Sequence, residues 1–339
     1  MHWADILHFL SVLTFQRVWN AGLVYVSYGL TRLLGRPVHW GAPITISFEP
    51  TTACNLRCPE CPSGLRAFTR PTGRLREDFF RNMVDTLSAD ALCLILYFQG
   101  EPYLNPDFLH MAAYARNRGL YVVTSTNGHF LDDEAARRTV ESGLSRLIVS
   151  VDGATQVTYS AYRIGGDLEE VKAGIRRVVF WKKKLGSAQP YLILQCLIVR
   201  PNEHEIDDMR AMGRELGVDE VKFKTAQVYD YENGHELIPT IDRYARYRKE
   251  ADGRWKLKTA MTNRCWKLWH ACVITWDGAV VPCCFDKDAS HRMGSLRSAD
   301  FRSIWRGKAY ADFRALLSKG RENVDICRNC SEGCRVWER

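Results

Sequence analysis

The 339-residue chain is 46% hydrophobic and 25% charged, which suits one large α/β domain plus a smaller appendage and excludes a disordered chain. Its 47 basic and 39 acidic residues leave a formal net charge of +8 spread along the sequence, so a basic nucleic-acid-binding tail is excluded and no nucleic-acid partner is expected. Residues 1–36 show neither a basic start nor a small-residue cleavage site, so the twelve cysteines are expected to be reduced and cytoplasmic, which favours metal over disulfides.

In chain order, residues 1–36 are rich in Leu, Val, Trp, Tyr and Phe, but Gln16, Arg17 and Asn20 interrupt the apolar run before it is long enough to span a bilayer. One or two helices packed on the main domain are expected within an N-terminal segment 1–43. A peripheral, membrane-associated helix over 1–36 is the alternative. From residue 44, short apolar runs alternate with amphipathic segments, predicting strands over 44–49, 91–98, 120–126, 145–151, 191–199 and 220–225. The helices between them are predicted over 76–88, 132–143, 168–186 and 203–217. Six such units over 44–226 predict an α/β fold, a partial (β/α)6 TIM-like barrel two units short of a closed eightfold one. Polar and glycine-containing clusters follow the strands at Cys54–Cys61, Gly100-Glu101-Pro102, Asn127-Gly128 and Asp152-Gly153, where such folds carry their active sites. Beyond about residue 226 the alternation stops. A linker over 227–254 and a small, irregular, Cys-rich domain over 255–339 are expected.

"EPTTACNLRCPECPSG" places Cys54, Cys58 and Cys61 in one polar, Pro-interrupted loop with spacing C-x3-C-x2-C. Three thiols are odd for disulfides and one short of a structural zinc site; the loop has no His, although Glu60 is available to a catalytic zinc. An iron–sulfur cluster with three protein thiolates leaves one iron open. A loop of this spacing after the first strand of a six-unit barrel resembles the radical S-adenosylmethionine (SAM) family. The resemblance implies that Cys54, Cys58 and Cys61 hold a [4Fe–4S] cluster whose open iron takes the amino and carboxylate groups of SAM. One departure is Glu60, where the family commonly has an aromatic residue against the adenine.

"YFQGEP" is similar to the family's Gly-Gly-Glu-Pro stretch after the second strand, with Gln99 in place of the first glycine; Gly100 would permit close approach and Glu101 would accept from the cofactor ammonium. Ser125, Asn127 and Ser150 are implied donors to the cofactor. Arg163 is implied to meet its carboxylate, with a solvated arginine as the alternative. The C-terminal region resembles the SPASM or shorter twitch extension, through Cys265, Gly278 and Cys283 at C-x12-G-x4-C and the pair Cys327-x2-Cys330. Cys265, Cys283, Cys327 and Cys330 are the economical set for one auxiliary [4Fe–4S] cluster. Cys272, Cys284 and Cys334 are alternatives for a member or for an incomplete second site, and a four-cysteine zinc site is the rival. Cys93 and Cys196 read as core residues, as do the many C-terminal tryptophans; His235, His270 and His291 have no partner at metal spacing.

The resemblance implies an oxidoreductase-type or peptide-modifying enzyme that cleaves SAM reductively to a 5′-deoxyadenosyl radical and abstracts hydrogen from a peptide or small-molecule substrate, with a flavodoxin or ferredoxin as electron donor. A non-catalytic iron–sulfur or zinc-binding scaffold of the same fold is the alternative.

Overall fold

The structure is a computed structural model and describes residues 3–258 and 261–330. It opens with helices α1 (Trp3–Leu10) and α2 (Phe15–Leu34). The side chain of Thr14 caps α2 by accepting from Arg17 N at 3.3 Å, and Gly35, at φ 65°, ends it in the left-handed turn that favours glycine.

Six parallel strands follow in sequence order: β1 (Thr45–Phe48), β2 (Cys93–Ile95), β3 (Tyr121–Thr126), β4 (Arg146–Ser150), β5 (Tyr191–Ile198) and β6 (Glu220–Thr225). The connections carry α3 (Pro62–Leu65), α4 (Glu77–Leu87), α5 (Phe108–Asn117), α6 (Asp133–Glu141), α7 (Gln156–Tyr162), α8 (Leu168–Lys184) and α9 (Ile206–Leu216). Alternation along the strands sorts residues into two cores. Ile46, Phe48, Leu94, Leu96, Leu147 and Val149 face outward under the helices, against Phe80, Met111, Val171 and Met209. Val123, Ile148, Tyr191 and Ile193 face inward, and Phe9 and Val12 close the lumen at the strand N-terminal ends. There the buried Asp5 carboxylate accepts from Tyr121 Oη and Arg146 Nη2.

Regular structure continues where the sequence suggested a linker and an irregular domain. Residues 227–258 form the β7 (Tyr247–Lys249) and β8 (Trp255–Leu257) hairpin, and Val228, Ile238 and Tyr247 pack in one buried cluster with Leu56 and Cys58. After α10 (Lys267–His270), β9 (Ala271–Ile274), β10 (Ala279–Val281) and β11 (Gly294–Ser295) extend the barrel sheet to the order β11-β10-β9-β1-β2-β3-β4-β5-β6. β9 lies parallel to β1, with Thr45 beside Ala271 and Phe48 beside Ile274. Short strands interrupted by turns carry little periodicity, which is why the sequence did not reveal this extension. Helices α11 (Phe301–Arg306) and α12 (Lys308–Gly320) pack over it; Trp269, Trp305 and Tyr310 fill the core around the buried Arg314 guanidinium.

Arg17 ties α2 to the barrel floor. Its buried guanidinium donates to the carbonyls of Val12 (2.7 Å), Gly119 (2.6 Å), Arg118 (2.9 Å) and Ser88 (2.7 Å). Arg17→Ala strands these acceptors and is expected to lower unfolding stability by about 3 kcal/mol, measured as a lower denaturant midpoint.

Candidate active site

The β1 chain runs from its C-terminal end into residues 49–61. Glu49 is buried and paired with Arg70, whose Nη1 and Nη2 lie 2.9 and 2.5 Å from its carboxylate oxygens. The cysteine loop is then held by close backbone contacts. A Cβ on Gly64 would sit 2.6 Å from the backbone nitrogen and oxygen of Cys58. Gly100 has φ 74°, and a Cβ there would sit 2.2 Å from the Thr51 carbonyl oxygen. Across this contact Gly100 N donates to Ser63 Oγ at 2.8 Å and Glu101 N to Ala53 O at 2.7 Å. Glycine is therefore required where the second strand's loop seats against the first.

Cys54, Cys58 and Cys61 come together without disulfides, half-buried, buried and half-buried respectively. Burial pushes the Cys54 thiol up to about 11, and nearby Glu101, Cys58 and Cys61 add to the shift. Burial also raises Cys58, against the pull of Arg163, whose Nη1 lies 3.8 Å from its sulfur. Metal ligation needs the thiolates, so loading this cluster displaces these protons. Four thiolates on one zinc ion lie about 3.8 Å apart, as tetrahedral bonds of ~2.3 Å require. Among the described residues no three of these cysteine sulfurs lie all within 4.8 Å of one another. The all-sulfur donor set fits an iron–sulfur cluster.

Around this loop lie the other predicted residues. Glu101 is 2% exposed; its carboxylate accepts from Thr126 Oγ1 (2.7 Å), Asn127 N (2.7 Å) and Tyr103 N (3.2 Å). Burial outweighs those bonds and pushes it up to about 7. Asn127 Nδ2 donates to Asn55 Oδ1 at 2.7 Å and points at Cys54 Sγ, 3.9 Å away. Arg163 is not a solvated arginine: its Nε pairs with the buried Asp152 carboxylate at 2.5 Å. Ser125 and Ser150 stand on the lumen faces of β3 and β4, two residues beyond Val123 and Ile148. Glu60 turns toward residues 227–238, where it accepts from Tyr229 N at 2.9 Å and lies 3.6 Å from His235.

The register of β5 and β6 adds residues that the sequence reading passed over. Gln195 pairs with Lys222 and Leu197 with Lys224, so both lysines share the lumen face with Ile193. Lys224 is exposed at the lumen mouth, makes no ion pair or hydrogen bond among the described residues, and is held below its ordinary pKa by partial desolvation and by Lys222 and Lys267, against Cys284. The period-two pattern of "EVKFKT" held the signal.

In the C-terminal region, Cys283 lies close enough to Cys284, Cys265 and Cys330 for their charges to raise its pKa beyond the effect of burial. Burial pushes Cys327 up to about 12, with Cys330 and Cys265 adding and Arg321 opposing. The four expected cysteines are thus neighbours. Cys272 is not among them: it lies on the outward face of β9, buried with Arg314 and Tyr310 nearby. Cys284 also neighbours Cys283 but is exposed, with Lys267 Nζ 3.4 Å from its sulfur, and Cys334 lies outside the described residues. His270 stacks on Trp266 and His291 pairs with Asp325 at 2.6 Å.

The radical SAM superfamily model matches residues 48–179, and the SPASM model, an iron–sulfur cluster-binding domain, matches residues 265–331. The chain carries a radical SAM domain followed by a SPASM domain. This radical SAM enzyme therefore uses a [4Fe–4S] cluster and SAM, with auxiliary iron–sulfur chemistry in its SPASM domain. It is similar to an AdoMet-dependent heme synthase of Methanosarcina barkeri, 27% identical over 87% of this chain and 92% of the relative. It also resembles a PqqA peptide cyclase of Bradyrhizobium diazoefficiens, 23% identical over 78% of this chain and 71% of the relative. The fold is shared with SuiB of Streptococcus suis bound to S-adenosylmethionine, at a TM-score of 0.64 and 12% identity over 92% of this chain and 77% of that one. It is shared too with native anSMEcpe bound to AdoMet, at 0.61 and 16% identity over 86% and 91%. The non-catalytic scaffold is not favoured, since the relatives are enzymes.

Gly100→Ala tests the seating of the two loops. It is expected to cost at least about 2 kcal/mol in unfolding stability, from the left-handed backbone and the blocked contact, and to lower iron content; denaturation and iron analysis measure both.

Proposed function

We propose that Cys54, Cys58 and Cys61 hold the SAM-binding [4Fe–4S] cluster, that Gly100, Glu101, Ser125, Asn127, Ser150 and Arg163 surround SAM, and that Cys265, Cys283, Cys327 and Cys330 hold one auxiliary [4Fe–4S] cluster. The gathering of the thiols carries this reading: three stand together in the loop after β1 with Glu101 and Arg163 beside them, and four stand together in the C-terminal region. When bound, these groups supply reductive cleavage of SAM to a 5′-deoxyadenosyl radical that takes hydrogen from the substrate.

The chain's own residues position and shield. Glu101, ionised, accepts from the SAM ammonium; Arg163, fixed by Asp152, offers its remaining N–H groups to the carboxylate. The lumen is sealed at the strand N-terminal ends by Phe9 and Val12, which keeps water from entering behind the reacting centre. Substrate enters from the opposite end, where Lys222 and Lys224 meet an anionic group on it. A peptide or a small molecule is the substrate class; the names of a PqqA peptide cyclase and of SuiB bound to its precursor peptide support the peptide arm. A flavodoxin or ferredoxin supplies the electron.

Anaerobic incubation with SAM and dithionite is expected to give 5′-deoxyadenosine. The combined Cys54→Ala, Cys58→Ala, Cys61→Ala protein is expected to give none, while iron falls from about eight to about four per chain by two-cluster arithmetic. Undiminished product from the triple mutant would sink the assignment, and zinc in place of the residual iron would overturn the auxiliary cluster.

Glu101 gives a pH test. Its carboxyl, raised to about 7 by burial, must lose a proton to meet an ammonium. SAM affinity is therefore expected to rise about fivefold between pH 6 and 7 in the wild type and to stay flat in Glu101→Ala, which also binds roughly 10- to 100-fold more weakly at pH 7. In the SAM-free protein the same raised acid costs stability as pH climbs from its ordinary 4.5 through about 7, because it is protonated in the fold and ionised when unfolded. Calorimetric titration at several pH values measures the binding arm.

A further inference from the structure

Helix α2 is inverted relative to an ordinary surface helix. Its buried face carries Arg17, Asn20, Ser27 and Thr31 beside a single aliphatic residue, Val24. These polar groups are satisfied: Asn20 Nδ2 donates to Ala42 O and Asp90 O, both at 3.1 Å, and Thr31 Oγ1 donates to Ser27 O at 2.9 Å and accepts from Val38 N at 2.8 Å. The outer face is apolar. Phe15 is 87% exposed, Trp19 63%, Val26 55% and Leu33 80%, at the three- and four-residue spacing that makes one stripe. Between them Gly22 and Gly29 have nothing within 4 Å of an added Cβ. Trp3 and Leu7 on α1, at 78% and 63% exposure, add to this apolar surface.

Helices that hide polar groups and expose tryptophan, phenylalanine and leucine expect an apolar medium outside. Charge names the medium. Residues 3–48 contain one carboxylate, Asp5, and it is buried and paired with Arg146, whereas Arg32 and Arg36 at the C-terminal end of α2 are exposed. A second copy of the same face offers these arginines no exposed carboxylate. No helix among the described residues is long and apolar enough to cross a membrane, so the contact is one of lying on the surface.

We propose that the outer face of α1 and α2 docks the enzyme on a bilayer containing anionic phospholipid, with the aromatic stripe in the acyl–headgroup boundary and Arg32 and Arg36 against phosphate. α2, at 20 residues, lays about 30 Å of helix in the plane of the bilayer. The face belongs to the barrel's sealed end, so docking leaves the substrate entrance turned toward water.

Vesicle co-sedimentation of the iron-loaded full chain tests this, with phosphatidylcholine vesicles alone or with added phosphatidylglycerol. Wild type is expected to sediment with the phosphatidylglycerol vesicles and to be released by salt. Phe15→Glu combined with Trp19→Glu is expected to bind at least tenfold more weakly with unchanged iron content and far-ultraviolet dichroism, since both side chains lie outside the core. Arg32→Ser with Arg36→Ser is expected to remove only the preference for phosphatidylglycerol. Wild type that binds neither vesicle, a Phe15/Trp19 variant that binds as wild type, or a wild-type dimer that the same variant converts to monomer would each overturn the proposal.

Discussion

Strand β1 is hydrogen-bonded on both sides, to β2 within the barrel and to β9 from the C-terminal region, and this double pairing organises the molecule. Ser47 is registered with Ile95 on one side and Val273 on the other, so a one-residue slip at either edge would turn core side chains to the wrong face. The same four-residue strand leads into the cysteine loop at one end of the lumen. The buried Glu49–Arg70 pair fixes that exit and reaches across to the extension, where Arg70 Nε donates to Lys287 O at 3.3 Å and Trp276 N to Glu49 at 3.3 Å. A buried ion pair is weak evidence of net stability, but removing one partner leaves a charge stranded, at a cost of about 3–5 kcal/mol. Its role here is geometric.

Protein contacts shape the cysteine loop. Glycines at 64 and 100 allow backbone to touch backbone, and Leu56 and Cys58 are buried with Val228 and Ile238. Such contacts lower the cost of ordering the chain that metal binding must meet. The polar contacts around Glu101, Asn127 and Arg163 are likewise made by neighbouring strands, so the side chains that face the thiols are held in place by rigid elements.

The barrel was legible because its strands are short apolar runs or, in EVKFKT, a period-two alternation, and the cysteine spacing survives in any local conformation. Glu101 and Arg163 could be placed by resemblance, but their partners could not: Asp152 lies eleven residues before Arg163, and nothing local marks it as the arginine's anchor. The extension strands were invisible for a different reason. β10 and β11 are three and two residues long, below the length at which alternation can be read, and their pairing is set by tertiary contact. Arg17 and Asn20 show in the sequence only as interruptions of an apolar run; that they form its buried face is decided by backbone carbonyls at the barrel floor.

The position of β9 also bears on biosynthesis. A nascent chain that has completed β6 has all six barrel strands, but β1 still shows a bare edge, because its second neighbour is encoded about fifty residues later, at 271–274. Cys327 and Cys330 emerge later still. Until then the wall beside the cysteine loop, including the Trp276 amide that bonds Glu49, does not exist. Strand β1 thus gains its second neighbour only from the C-terminal region of the chain.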